Sequence, residues 1–224
     1  EAVSHASHML HVSPEINWVE ATELTVEKDV SEKLKGSDGI IIPGGFGSRG
    51  IEGKILAIKY ARENKIPLLG LCLGMQLMAV EFARDVCGIR DANSSEFNQK
   101  TKHKIIDLMS TQVNVKYMGG TMRLGAWKAK ILSKDSIAYK AYRKQVVSER
   151  HRHRYELNND FRKILEKNGL VISATTLDGK LVEMIEWKDS YGIGTQAHPE
   201  LKSRPNSPAP LFLSFINAAS KGKV

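Results

Sequence analysis

Apolar and polar positions along the chain fall into two kinds of stretch. Residues 39–43 (GIIIP) and 66–71 (IPLLGL) are short, nearly continuous apolar runs with glycine or proline beside them. Such runs read as strands buried on both faces, as in a parallel sheet. Between them, residues 51–63 place Ile51, Ile55 and Ile58 at helical spacing, with Glu52, Lys54, Lys59 and Arg62 on the other side. This is an amphipathic helix. Residues 75–84 repeat the pattern, with Met75, Met78, Ala79 and Phe82 on one side. Strand, helix, strand, helix with short links predicts a parallel sheet with right-handed crossovers. Ligands of such sheets gather at the C-terminal ends of strands.

Either side of this unit the pattern predicts a helix at 1–10, a short strand at 16–21 (INWVEA) and a charged loop or helix at 25–35. Residues 92–104 are polar and loop-like, and 102–132 are mixed, with a turn at Gly119-Gly120 and strand-like alternation at 127–132. Helices are expected at 136–148, 160–167 (closed by Gly169) and 208–219. Three strands, 170–175, 181–187 and 191–196, lie at hairpin spacing, the first two joined by Asp178-Gly179. The expected architecture is a three-layer α/β/α sandwich with a mostly parallel central sheet and an antiparallel flank.

The 224 residues suffice for one such domain with a sizeable core. No stretch approaches the length of a membrane span, and two cysteines cannot make a disulfide framework, so the chain reads as cytoplasmic. No Cys/His cluster has metal-ligand spacing. The formal charge is +8, but the bases are spread along the chain, except for a run at Arg150–Arg154 without the interleaved aromatics of a base-stacking platform. A basic surface of this kind suits nucleotide phosphates or an acidic partner domain better than nucleic acid. Arg150 and Arg152 read equally well as plain surface charge.

The chemistry concentrates at Cys72. It sits where the apolar run at 66–71 must turn into the helix that follows, between Gly70 and Gly74. That is the strand–turn–helix of a nucleophile elbow, with sulfur in place of a serine oxygen. A helix N-terminus behind the sulfur favours thiolate. Position alone leaves a buried core cysteine as an equal reading. Residues 194–201 (GTQAHPEL) tip the balance, because His198 and Glu200 stand two apart and point the same way in an extended segment. His198 can take the Cys72 proton while Glu200 holds the imidazole. The glycine-rich loop Gly44-Gly45-Phe46-Gly47 after the first apolar run fits neither nucleotide-binding fingerprint. It can bring a backbone N–H close to a reacting carbonyl, or be a simple turn; with Cys72 on the next strand, an oxyanion hole is the better reading.

Taken together, IIIPGGFGSRGIEGK, IPLLGLCLGMQ, SSEF, GGTMRLG, SERHRHRYE and GTQAHPEL span residues 40–201 in one order. They resemble the class I (triad) glutamine amidotransferases. PGGFGSRG and the last three resemble one branch, in which a glutaminase domain passes ammonia to a synthetase domain that makes CTP from UTP. The resemblance implies a glutaminase domain spanning 1–224 that begins inside its first helix and so lacks its first strand. It implies that L-glutamine is held by Gly45, the segment Leu73, Gly74, Met75 and Gln76, Glu96 (on the α-amino group) and Arg154. Arg154 is preferred to Arg152 because it precedes Tyr155. It implies no cofactor in this domain, ATP and Mg²⁺ in the synthetase domain, and GTP as an allosteric activator touching residues 46–54 and 121–123. A homotetramer is implied for the full-length enzyme. Two other readings stand beside this one: a cysteine hydrolase of the same sandwich architecture, and a non-catalytic basic binding domain. Cysteine hydrolases of that kind usually place His directly after the nucleophile, where this chain has Leu73.

Overall fold

The computed structural model describes residues 1–108 and 122–220. Its centre is a seven-stranded sheet in the order β1-β2-β10-β9-β8-β5-β6. β1 (Ile40–Ile42), β2 (Leu68–Leu71) and β10 (Gly192–Thr195) run parallel. β9 (Val182–Trp187), β8 (Leu170–Thr176), β5 (Arg123–Ile131) and β6 (Val146–His153) continue it antiparallel. A small second sheet holds β3 (Asn93–Ser94), β4 (Lys104–Leu108) and β7 (Tyr155–Leu157).

The sandwich is as expected, but the sheet is mixed rather than mostly parallel. Helical crossovers stop after the second strand. β8, β9 and β10 are joined by links of a few residues, too short for a crossover, and short links force antiparallel neighbours. The β8–β9 link is a tight turn in which Gly179 takes φ +76°.

One face of the sheet is covered by α2 (Glu27–Leu34), α3 (Ile51–Glu63), α4 (Leu73–Asp85) and α6 (Asn159–Lys167), through a core that includes Val30, Ile58, Met78 and Leu165. The other is covered by α1 (Ala2–Met9), α5 (Ile137–Tyr142) and α7 (Pro210–Ser220), through Ala6, Ala138, Leu211 and Phe215. β2 feeds both: Leu68 belongs to the first cluster, Leu69 and Leu71 to the second.

α4 is buried from Leu73 to Ala83 without a solvent face. It lies almost on the backbone of the sheet. A Cβ at Gly194 would stand 2.9 Å from the Met75 Cβ, and one at Gly70 2.7 Å from the Met78 sulfur. A Cβ at Gly74 would come within 2.2 Å of the Ile42 carbonyl oxygen. Those glycines set how near the first turn of α4 comes to β1, β2 and β10.

Several expected elements differ. The predicted strand at 16–21 is irregular, with Trp18 92% exposed and Ile16 49%; its alternation is strand-like, but no strand edge pairs with it. The helix expected over 136–148 ends at Tyr142, where Arg143 turns left-handed at φ +54°. β6 then begins and takes in the basic run as far as His153. β3 and β4 lie within the stretches read as polar loop and mixed pattern. The expected turn at Gly119-Gly120 and the residue Thr121 lie outside the described residues.

A Gly74→Ala substitution has no room without moving α4 off β1, and overpacking of that kind costs ~1–3 kcal/mol. Urea denaturation of the variant is expected to show a loss in this range; unchanged stability would mean that α4 does not rest on the Ile42 carbonyl.

Candidate active site

Cys72 joins β2 to α4 at φ +50°, ψ −101°. A side-chain-bearing residue there is strained by ~1–3 kcal/mol, and such strain persists only where the surroundings hold it. Here the Cys72 N–H donates to the Thr195 carbonyl of β10 at 2.7 Å, and its carbonyl accepts from the Gln76 N–H at 3.2 Å. The cysteine is 2% exposed. Its sulfur stands at the N-terminus of α4, where backbone N–H groups lack helical partners.

The strand order brings His198 to the same place, since β10 lies directly beside β2. The His198 N–H donates to the Arg150 carbonyl at 2.7 Å, and its ring Nδ1 meets Glu200 Oε1 at 2.6 Å. Glu200 lies in a 3₁₀ turn, Pro199–Lys202, and not in the extended segment expected. The turn, rather than strand alternation, folds the carboxylate back under the ring. The imidazole is held protonated up to about 10, first by the Cys72 sulfur and then by Glu200, against the cost of burial. Its Nε2 is buried without a fully formed hydrogen bond. A resting nucleophile–base pair is often that loose and tightens when substrate enters.

Gly44 fits against both partners: a Cβ there would lie 2.7 Å from His198 Cε1 and 3.5 Å from the Cys72 Cβ. A Cβ on Gly45 would stand 3.3 Å from Leu73 Cδ2. The glycine-rich loop thus lies against the triad at the end of β1, with Gly44 beside His198 and Gly45 beside Leu73. Glu96, after β3, accepts the Gly47 N–H at 3.1 Å. Burial pushes its carboxyl up, while Gly47 and the charge of Arg154 pull it back. Glu96 therefore lies between the glycine-rich loop and the Arg154 charge. Arg152 stacks over Phe46 with its guanidinium carbon 5.6 Å from the ring centre.

Of the α4 residues expected around the substrate, Leu73, Gly74, Met75 and Gln76 are all buried. Met75 packs against Gly194 of β10. The Gln76 amide donates to the Tyr155 carbonyl at 3.0 Å and to Gln196 Oε1 at 3.2 Å.

Beneath the triad lies a polar layer that the sequence pattern did not reveal. β6 alternates exposed and buried, turning Glu149, His151 and His153 inward and Ser148, Arg150 and Arg152 outward. His151 Nδ1 and His153 Nε2 are 3.0 Å apart. Arg123 bridges Glu156 at 3.1 Å and Glu183 at 2.6 Å. Burial, with the nearby Arg123 charge, drives His151 down to about 2 and His153 to about 3, so both rings are neutral. Burial pushes Glu156 up to about 8 despite Arg123. Arg123 is 6% exposed and doubly paired, which withdraws it as the nucleotide contact expected of residues 121–123. Among the described residues no group of three or more His, Cys, Asp or Glu is placed to hold a metal ion, and no helix is long and apolar enough to cross a membrane.

A strained cysteine on a strand–helix elbow, beside a His–Glu couple that follows the neighbouring parallel strand, is the arrangement of a cysteine triad enzyme. The family pattern of class I glutamine amidotransferases matches residues 1–218, and the chain belongs to that family. Within it the likeness is to CTP synthases. Those of Bacillus thuringiensis (strain Al Hakam) and Bacillus cereus (strain G9842) are 54% identical over all 224 residues of this chain and 42% of their own length. The chain thus spans about two fifths of the curated relatives it matches. The fold is similar to that of the glutaminase domain of Trypanosoma brucei CTPS with bound acivicin, with a TM-score of 0.93 and 41% identity over 98% of this chain and 86% of that one. A GMP synthase-like protein from Thermoplasma acidophilum, 19% identical with a TM-score of 0.63 over all of this chain and 89% of that one, shares the fold alone.

Rings kept neutral at pH values where the unfolded chain protonates them make stability pH-dependent. The folded values of about 2 and 3 lie below the ordinary 6.5, so this contribution is complete above 6.5 and is lost as pH falls. His151→Gln removes one such proton uptake. Urea denaturation from pH 7 to pH 5 is expected to show a shallower loss of stability in the variant, by up to ~1.4 kcal/mol per pH unit. Equal slopes would show that the His151 ring is not buried in its neutral form.

Proposed function

We propose that this chain hydrolyses L-glutamine as the ammonia-supplying half of a CTP-forming ligase. The observation that carries the reading is the strained Cys72 beside His198 and Glu200, whose side chains meet at 2.6 Å. The Cys72 thiolate attacks the side-chain amide carbon of glutamine. The amide oxygen becomes an oxyanion facing the N–H groups of Leu73 and Gly45, each worth about 3 kcal/mol in the transition state. His198, held as imidazolium by the sulfur and by Glu200, gives its proton to the departing nitrogen. Ammonia leaves and a γ-glutamyl thioester remains. Water then attacks that thioester with His198 as base, glutamate departs and the thiolate is restored.

The glutamine backbone is gripped opposite the amide. Glu96 takes the α-amino group and Arg154 the α-carboxylate, with Gly74, Met75 and Gln76 lining the first turn of α4. Support for this grip comes from the charge coupling of Glu96 to Arg154 and from the Gly47 N–H on Glu96, which ties the grip to the oxyanion loop. Acivicin, bound in the trypanosomal domain, is expected to occupy the same place. The ammonia passes to a synthetase domain, where ATP with Mg²⁺ activates UTP for conversion to CTP. The full-length enzyme assembles as a homotetramer in the cytoplasm. GTP acts as activator through residues 46–54, the exposed end of the glycine-rich loop and the first turn of α3. This domain itself uses no cofactor and meets neither nucleic acid nor membrane.

The chain is expected to release glutamate from glutamine, and Cys72→Ser to lower kcat at least about a thousandfold. Arg154→Ala is expected to raise KM at least about tenfold with a smaller effect on kcat, since it removes a charge-assisted grip on the ground state. Glutamate release unchanged by loss of the Cys72 sulfur would overturn the reading.

A further inference from the structure

Gln196 is fully buried two residues before His198, and nothing in the mechanism above uses it. Its amide orientation is fixed by its neighbours. The Tyr155 carbonyl can only accept, so the Gln76 group facing it at 3.0 Å is the NH₂. That same NH₂ lies 3.2 Å from the Gln196 amide, which must present its oxygen there. The Gln196 NH₂ is left facing the Cys72 sulfur at 3.7 Å, within hydrogen-bond reach of an atom as large as sulfur. On the backbone, the Gln196 N–H donates to the Glu183 carbonyl at 2.9 Å and fixes the residue's depth. The chain Tyr155 carbonyl, Gln76 amide, Gln196 amide, Cys72 sulfur runs in one donor direction.

The geometry points to Gln196 as a further catalytic residue, whose side-chain N–H donates to the Cys72 thiolate and holds it charged and aimed between turnovers. This rests on Cys72 being the nucleophile. A neutral donor suits the position. His198, coupled to the sulfur and to Glu200, is the charged group at the sulfur; the groups packed behind it are His151 and His153 from β6, which feel the His198 charge, Glu149 from β6 facing Glu200, and Arg123 from β5 with Glu156 from β7 and Glu183 from β9. The buried histidines are neutral, and the Arg123 charge is spent on Glu156 and Glu183. The donor stabilises the anion without competing with His198 for its proton. Once the thioester forms, the sulfur is no longer an anion and the bond weakens, so Gln196 favours the resting enzyme and the returning thiolate.

The test is alkylation by iodoacetamide, read by peptide mass spectrometry, in the wild-type chain and in Gln196→Met, which keeps the bulk and removes the donor. Cys87, the other thiol, serves as internal standard. The Cys72 rate is expected to fall about tenfold at pH 6.5 and to be unchanged at pH 10, with Cys87 unaffected at both. In glutamine turnover kcat is expected to fall while KM holds. Equal rates in both proteins, or an equal fall at both pH values, would overturn the assignment, the second by revealing altered access alone. If the methionine variant does not fold, the folded wild type decides. The Gln196 side-chain amide resonances should move when Cys72 is alkylated and should not respond to alkylation of Cys87 in Cys72→Ser; no movement overturns the assignment. Alkylation requires no glutamine. A chain that fails to hydrolyse glutamine yet shows the pH-selective effect would refute the glutaminase reading and leave this one standing.

Discussion

Everything chemical in this molecule depends on a left-handed turn at a residue that is not glycine. Cys72 holds φ +50° because β2 delivers it and α4 takes it away with no residue between. A strained turn relaxes unless both flanks are pinned. Here they are, by the Thr195 carbonyl on one side and by the close seat of α4 at Gly70, Gly74 and Gly194 on the other. The side chains missing from those three positions are as much part of the site as the sulfur. They let the first turn of a helix come down onto three parallel strands and aim its free N–H groups where a carbonyl oxygen can become an anion.

The antiparallel half of the sheet serves the same site differently. β5, β6 and β9 carry charged and histidine side chains inward, into a region where a strand would ordinarily place Val or Ile. Such a layer is costly unless paired, and most of it is paired. Arg123 holds two carboxylates, and the two histidines contact each other. β6 and β9 also reach the segment that carries His198 through backbone: the Arg150 carbonyl receives the His198 N–H and the Glu183 carbonyl receives that of Gln196. β6 and β9 thereby fix the height of the segment that carries both His198 and Gln196.

The parallel unit is legible in the sequence because its signals are local. The glycine-punctuated run 66–71 and the spacing of Ile51, Ile55 and Ile58 read directly as β2 and α3, and the triad follows from three side chains. What stays hidden depends on partners far away in sequence. The strand expected at 16–21 has the right alternation and finds no edge to pair with. The run Arg150–Arg154 displays its arginines, and their charge masks the alternation of Glu149, His151 and His153 as the buried face of β6. Gln196 was within reach: the alternation that pairs His198 with Glu200 extends one step back to Gln196. Glu200 itself reaches His198 by a 3₁₀ turn, so the right pair comes from a different backbone.

The sulfur of residue 72 and the imidazole of residue 198 must act as one proton-sharing unit for any of this chemistry to run. Nitrogen-15 NMR of the His198 ring across a pH titration reads this directly. The expected result is an imidazolium that persists to about 10 in the wild type and loses its proton at markedly lower pH in Cys72→Ser. A His198 that titrates identically with and without the sulfur would contradict it.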